Sequence, residues 1–139
     1  MIARHPAATR HFTAWKNGGG ETAEIVCQPE GAGFDDFQWR ISTARVATSG
    51  PFSVFPGVAR SLTVLEGGPM VLRIDGGPEI VATPDTGPIA FRGDVSCQAD
   101  LIGPPVLDLN VMTRSPFGAE VRCASAPLPA GLPAPEARY

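Results

Sequence analysis

Histidine and cysteine are scarce in this chain of 139 residues, and their positions exclude several common chemistries. The two histidines, His5 and His11, lie near the amino terminus, outside any strand pattern that would place them against a nucleophile. The three cysteines are widely spaced and form no Cys-x-x-Cys pair. A Ser-His-Asp or Cys-His relay, a zinc cluster and a disulfide framework are therefore not indicated. We expect buried free thiols, no metal and no cofactor.

Excess charge and long apolar runs are also missing. Eleven basic residues against fourteen acidic ones give a formal net charge of −3, which does not favour binding to nucleic acid or to an anionic membrane. No run of about 18 consecutive apolar residues occurs, and the first residues lack the apolar segment of a signal peptide. We expect a soluble, cytoplasmic protein with no nucleic-acid or membrane partner.

A helical apolar stripe is absent too, whereas 16 glycines and 15 prolines interrupt the chain at short intervals. Short apolar runs between such residues are typical of an all-β sandwich or barrel. We predict strands at residues 22–27, 38–46, 61–65, 70–74, 79–82, 89–91, 95–102 and 106–113. Glycine-rich turns at residues 66–68 and 75–77 join successive runs and predict an antiparallel meander.

The length of the chain fits a single domain. From residue 124 onward the composition shifts to proline and alanine, with almost no β-branched residues. We therefore predict one β domain over residues 1–123 and an irregular tail over residues 124–139.

The most distinctive motif is the run at residues 15–20, Trp-Lys-Asn-Gly-Gly-Gly, which we call the glycine loop. Successive glycines lose much entropy on ordering, so folds keep them where the backbone takes a positive φ or is closely approached. Backbone N–H groups beside Lys16 are able to hold an anion. A plain turn before a strand is the alternative. The run matches neither a P-loop nor a dinucleotide-binding fingerprint.

Polar side chains share one face on several predicted strands. Alternation groups Arg40 with Ser42 and Asp108 with Asn110, while Arg60 begins its own strand. If these faces look into a barrel, Arg40 is a fork for a carboxylate, Arg60 is a cation at the barrel rim, and the Asp-Asn pair orients a ligand. Alternatively, the arginines are solvated and the pair satisfies buried backbone groups.

Taken together and in this order, the motifs resemble the HutD/Ves family. The resemblance covers residues 12–115, and it is carried by residues 15–22, 24–25, 39–42, 50–57, 60, 91–94 and 108–112. It implies a cupin-like fold, an RmlC-like jelly roll that forms an antiparallel β-barrel or sandwich. Family members continue with further strands, so we expect the second half to be reduced here. A homodimer is a hypothesis that would cover the exposed edges.

The resemblance implies a protein that regulates histidine utilisation by binding a pathway metabolite such as urocanate or formylglutamate. Both are carboxylates, which suits the cations in the motifs. Carried over motif by motif, the implied ligand-binding residues are Lys16, Asn17, Arg40, Ser42, Arg60 and Asn110. Typical cupins hold a metal through histidines, which residues 65–74 and 106–113 lack. We therefore predict a non-enzymatic protein that binds a small carboxylate.

Two other functions stay open. A metal-independent cupin enzyme, an isomerase or a lyase, would use Asp108 or Glu24 for proton transfer. A protein-interaction module would use Phe52 and Phe55 as an apolar patch. The prolines of that loop, residues 50–57, favour a rigid segment that folds back onto the barrel.

Overall fold

The computed structural model describes residues 3–122, so the predicted tail at 124–139 and the domain boundary at residue 123 lie outside the described residues. The described chain folds into ten β-strands and one 3₁₀ turn, Ala7–Thr9. The strands are β1 (Thr13–Ala14), β2 (Gly20–Gln28), β3 (Trp39–Val46), β4 (Gly50–Pro51), β5 (Ala59–Glu66), β6 (Met70–Ile74), β7 (Glu79–Ala82), β8 (Ile89–Arg92), β9 (Cys97–Leu101) and β10 (Val106–Thr113).

The strands form two antiparallel sheets, which confirms the predicted all-β, cupin-like class. The larger sheet has the order β1-β2-β3-β10-β5-β8, and the smaller has the order β4-β9-β6-β7. Most neighbouring strands in each sheet are distant in sequence. The last strand, β10, lies in the centre of the large sheet and pairs with both β3 and β5. This return of the last strand to the middle is what brings residues 40, 60 and 110 to adjacent strands.

The predicted strands agree closely with the observed ones. Those at 70–74, 79–82 and 106–113 match residue for residue, and the other five differ by one or two residues at their ends. The short edge strands β1 and β4 were not predicted. The turn at 75–77 joins β6 to β7, as predicted. The turn at 66–68 does not form the hairpin that the predicted meander requires. It carries the chain from the large sheet to the small one.

Backbone geometry explains the wrong hairpin. Gly67 and Gly68 have φ values of 81° and 87°, a region that favours glycine in hairpins and in other sharp changes of direction alike. A Cβ at Gly67 would collide with the carbonyl oxygen of Pro105. The two glycines therefore allow a close crossing between the sheets, and their sequence signal does not distinguish that crossing from a hairpin.

The apolar core occupies one end of the space between the sheets. Its buried members come from both sheets: Val46, Leu62, Val64, Met70, Leu72, Ala82, Cys97, Ala99 and Val106. A smaller cluster of Cys27, Phe37, Val58 and Met112 lies apart from it. The inward faces of the central strands of the large sheet also carry polar side chains, and these line a cavity.

The two cysteines within the described residues confirm the expected buried free thiols. Cys27 and Cys97 are both buried and unbonded to each other, and burial raises the pKa of each thiol. Cys123 lies outside the described residues. Residues 3–122 also include no helix with the length and apolar character needed to cross a membrane.

Candidate functional site

A cavity of about 960 Å³ lies on the inward face of the large sheet, at the polar end of its central strands. Its walls come from β2, β3, β5 and β10, from the loop before β5 and from the segment that precedes β2. The structure brings all six predicted site residues to this one cavity: Lys16, Asn17, Arg40, Ser42, Arg60 and Asn110. Their binding of a ligand stays a prediction.

Strand register explains why these residues meet. Arg40 on β3 and Arg60 on β5 both pair with Met112 of β10, so the two arginines occupy one row across the sheet. Ser42 pairs with Asn110 in the next row toward the core. Because side chains alternate along a strand, every second residue of these strands faces the cavity. The polar faces predicted from alternation therefore look inward.

Arg40 lies at the outer row of the cavity and keeps a partly open guanidinium. Its Nε donates to Glu24 Oε1 at 3.3 Å, and its Nη1 lies 3.4 Å from the Ser42 hydroxyl oxygen. The guanidinium carbon is 4.9 Å from the centre of the Phe34 ring. The Arg40 side chain is 12% exposed, whereas that of Glu24 is 47% exposed. A ligand carboxylate would therefore compete with a well-solvated glutamate for this arginine.

Arg60 is held far more tightly, and it is buried within the cavity wall, where the sequence suggested a cation at the rim. Its Nη1 donates to the Ser53 carbonyl oxygen at 3.0 Å, and its Nη2 donates to Asn110 Oδ1 at 3.3 Å. The rings of Phe91, Phe55 and Phe52 lie 5.0, 5.2 and 5.9 Å from its guanidinium carbon. Burial lowers the pKa of Arg60, and the nearby Cys97 and Asp108 oppose that effect.

The same contacts hold the loop at residues 50–57 against the barrel. Phe52 packs against the main core and Phe55 against the smaller cluster, and both rings flank Arg60. The predicted folding of this loop back onto the barrel is thus what the structure shows. Phe52 and Phe55 are half-buried, so each ring gives a partner only part of its surface, and the interaction module stays a prediction.

Asp108 lies deepest in the cavity wall and is linked to Arg60 through Asn110. The Asn110 Nδ2 donates to Asp108 Oδ1 at 2.9 Å, while the Asn110 Oδ1 accepts from Arg60. Asp108 is only 1% exposed. Burial raises its pKa to about 7, against the opposing effects of the Ala44 backbone, Arg60 and Asn110. The cavity therefore contains a carboxyl group that titrates near neutrality.

The glycine loop is a turn stabilised from within. Asn17 Oδ1 accepts from the Gly19 N–H at 2.8 Å, and the Gly18 N–H donates to the Trp15 carbonyl. Gly18 has a φ of 75°, and a Cβ at Gly20 would collide with the Arg45 carbonyl oxygen. The N–H groups of Gly18 and Gly19 are thus used inside the loop. What the loop offers the cavity is the exposed side chain of Lys16.

Sequence reasoning missed the segment before β1, which forms one wall of the cavity. Arg4, His5, Arg10 and His11 all line it, and Arg10 donates from Nη2 to the His5 carbonyl at 3.3 Å. Burial lowers the pKa of Arg10. The only sequence signal here was two histidines and two arginines within eight residues, which carries no periodicity. Phe34, which stacks on Arg40, was missed for the same reason.

The cavity is locally cationic although the chain is acidic overall. Five basic side chains line it, those of Arg4, Arg10, Lys16, Arg40 and Arg60, against the two acidic ones of Glu24 and Asp108. The whole chain has a net charge of −3. Residues 3–122 contain no group of three or more histidine, cysteine, aspartate or glutamate side chains suited to a metal ion. The arrangement favours an anion.

Comparison with known proteins agrees with the motifs. The model of the family described as HutD matches residues 7–132, which is most of the sequence. The chain belongs to the HutD family. Two curated relatives are similar over shorter stretches. Protein Ves of Citrobacter koseri is 45% identical over 102 residues, which is 72% of this chain and 51% of that protein.

The second relative comes from Pseudomonas putida and is described as an uncharacterised 21.2 kDa protein in the hutC 3′ region. It is 42% identical over 98 residues, which is 70% of this chain and 50% of that protein. The chain thus spans about half the length of the curated relatives it matches.

Solved structures support the fold. HutD from Pseudomonas fluorescens superimposes with a TM-score of 0.72 at 40% identity, over 78% of this chain and 58% of that one. KdgF from Halomonas matches with a TM-score of 0.60 at 10% identity, over 79% of this chain and 91% of that one. Identity this low supports the shared fold alone.

Proposed function

We propose that this HutD-family chain is a non-enzymatic binding protein for a small carboxylate metabolite of the urocanate or formylglutamate class. In this proposal it acts in the cytoplasm and regulates histidine utilisation. Family membership supports the proposal, as does the P. putida relative named for its place beside hutC. Because the chain spans about half of its relatives, the proposal concerns the cavity that this chain itself forms.

The observation that carries the proposal is the convergence of cations on one cavity. Five basic and two acidic side chains line a cavity of about 960 Å³, which is a size typical of small-molecule sites. An acidic chain that concentrates its cations in this way attracts anions locally and repels them elsewhere. Low-dielectric walls strengthen that attraction.

The cations have different roles in this proposal. Arg40 and Lys16 receive the ligand carboxylate, because Arg40 retains donor capacity beside an exposed glutamate and Lys16 is solvated. Ser42 and Asn110 orient the ligand from the next row. Arg60 holds the loop at Ser53 and the Asn110 side chain, since each of its terminal nitrogens already donates one hydrogen bond to them. Asn17 shapes the glycine loop.

Thermal unfolding with urocanate and with formylglutamate tests the proposal. Ligand at 100 times its dissociation constant adds about 2.7 kcal/mol, which raises the melting temperature of a domain of this size by roughly 10 °C. Arg40→Ala should abolish the shift. Arg73→Ala is the matched control, since Arg73 pairs with Glu79 on the small sheet and is absent from the cavity lining. No shift with either acid would overturn the proposal.

One observation favours an alternative, a metal-independent enzyme. Asp108, buried in the cavity wall with a pKa of about 7, has the property that suits general acid-base catalysis at neutral pH. Incubation of the protein with each acid, followed by absorbance and mass spectrometry, distinguishes the two functions. Turnover that is lost in Asp108→Asn would replace binding by catalysis as the function.

A further inference from the structure

Unpaired buried polar atoms cluster on the cavity. Within residues 3–122, four buried side-chain atoms have no hydrogen-bond partner: Arg10 Nε, Arg60 Nε, Thr63 Oγ1 and Asp108 Oδ2. Three of the four belong to residues that line the cavity. Folded proteins rarely leave buried polar atoms unpaired, and such atoms at one cavity call for an explanation by a ligand or by water.

Among the three residues at the cavity, the two most buried carry unpaired atoms of opposite hydrogen-bonding character. Asp108 and Arg60 are 1% and 8% exposed. Asp108 uses Oδ1 to accept from Asn110, which leaves Oδ2, an acceptor. Each terminal nitrogen of Arg60 donates one hydrogen bond, whereas Nε, also a donor, has no partner. Asn110 stands between the two residues and satisfies both of its own polar atoms on them.

We infer that the cavity has an inner subsite at Asp108, one row beyond Asn110 toward the core, which takes an N–H group of the bound acid and pairs it with Asp108 Oδ2. The ligand is therefore bifunctional. Its carboxylate meets Arg40 in the outer row, and its other end carries a donor for Asp108 and an acceptor for Arg60 Nε. An imidazole ring and a secondary amide both have this pair of atoms. The inference rests on the proposed function of carboxylate binding.

Two acids of the same shape test this subsite. Urocanate carries an imidazole on an acrylate, and cinnamate carries a phenyl ring, without an N–H, on the same acrylate. We expect calorimetry at pH 8 with the full chain to show that urocanate binds about 10-fold to 100-fold more tightly than cinnamate. One hydrogen bond to a charged acceptor contributes a difference of this size. This comparison uses the wild-type protein and so does not depend on a variant that folds.

Variants then assign the preference to Asp108. Asp108→Asn keeps an oxygen for Asn110 and turns an amide N–H toward the ligand donor, so the preference for urocanate should fall below about 3-fold. Arg40→Ala should weaken both acids and preserve their ratio. Equal affinities in the wild type, with both acids weakened by Arg40→Ala, would overturn the subsite and leave carboxylate binding intact. Equal affinities are the result expected if a buried water molecule, and not the ligand, pairs with Asp108 Oδ2. Failure of both acids to bind would overturn the subsite and the proposed carboxylate binding together.

Discussion

Asp108 should make the stability of the folded chain fall as pH rises toward neutrality. Burial raises the pKa of this carboxyl group from its ordinary 3.8 to about 7 in the folded protein. Between those two values the folded chain retains a proton that the unfolded chain releases. The stabilisation is therefore fully present below about pH 4 and is lost as pH rises through 7.

The size of the effect follows from the same two pKa values. One pKa unit corresponds to 1.36 kcal/mol, so the difference amounts to a loss on the order of 4 kcal/mol between pH 4 and pH 8. That is a large share of the 5–15 kcal/mol that typically stabilises a domain. Asp108→Asn keeps the shape of the side chain and removes its titration. The difference in unfolding free energy between wild type and Asp108→Asn should therefore show the whole of this pH dependence.

Urea unfolding from pH 4 to pH 8, followed by the fluorescence of Trp15 and Trp39, measures that difference. Asp94→Asn is the matched control, because a hydrogen bond and charge from Arg92 lower the pKa of this exposed carboxyl group. Its contribution is lost only as pH falls below about 4, which is the opposite direction. A flat difference for Asp108→Asn across the range would refute the argument that burial keeps Asp108 protonated up to neutrality.

Three further predictions concern the cavity wall. Glu24→Gln should raise the affinity for urocanate about 2-fold to 5-fold by calorimetry, because it removes the carboxylate that competes for Arg40 at 3.3 Å; weaker binding would contradict this. Gly20→Ala should lower the unfolding free energy by about 1–3 kcal/mol, because its Cβ would meet the Arg45 carbonyl oxygen. Gly50→Ala, with nothing within 4 Å of its Cβ, should change it by less than about 0.5 kcal/mol. Arg60→Ala should cost about 3 kcal/mol in urea unfolding and speed hydrogen exchange at the Phe55 amide; unchanged exchange would show that Arg60 does not anchor that loop.

The strands and the inward polar faces could be predicted because alternation is a local property of the sequence. A strand that reads Arg-Ile-Ser at residues 40–42 must send Arg40 and Ser42 to the same side. The register that aligns Arg40 with Arg60 across Met112 could not be predicted. It depends on β10 returning between β3 and β5, and on bulges near residues 25 and 108. Bulges insert one residue without a reliable composition signal.

The roles of the two arginines could not be separated by sequence either. Both lie near the start of a strand, Arg40 before Ile41 and Arg60 before Ser61, and the sequence favoured a carboxylate fork for the first and a cation at the barrel rim for the second. The structure differs because Arg60 lies beside the loop at residues 50–57, where a backbone carbonyl and three aromatic rings surround its guanidinium. Arg40 faces the half-exposed side chain of Glu24 instead. Such differences arise from contacts between distant segments, which a pattern along one strand does not encode.

The charge of Asp108 connects the stability of the fold to the chemistry of the cavity. A carboxylate at this depth is costly without a partner, and the Ala44 backbone, the charge of Arg60 and the Asn110 amide offset only part of that cost. The free chain therefore keeps the proton on Asp108 near neutral pH. A ligand that brings an N–H to Oδ2 favours the ionised form and offsets that cost, whereas an acid of the same shape without the N–H leaves it in place. A ligand with the N–H would then bind more tightly than an acid of the same shape without it. The difference in affinity would come from the free energy that the buried Asp108 costs the unliganded fold.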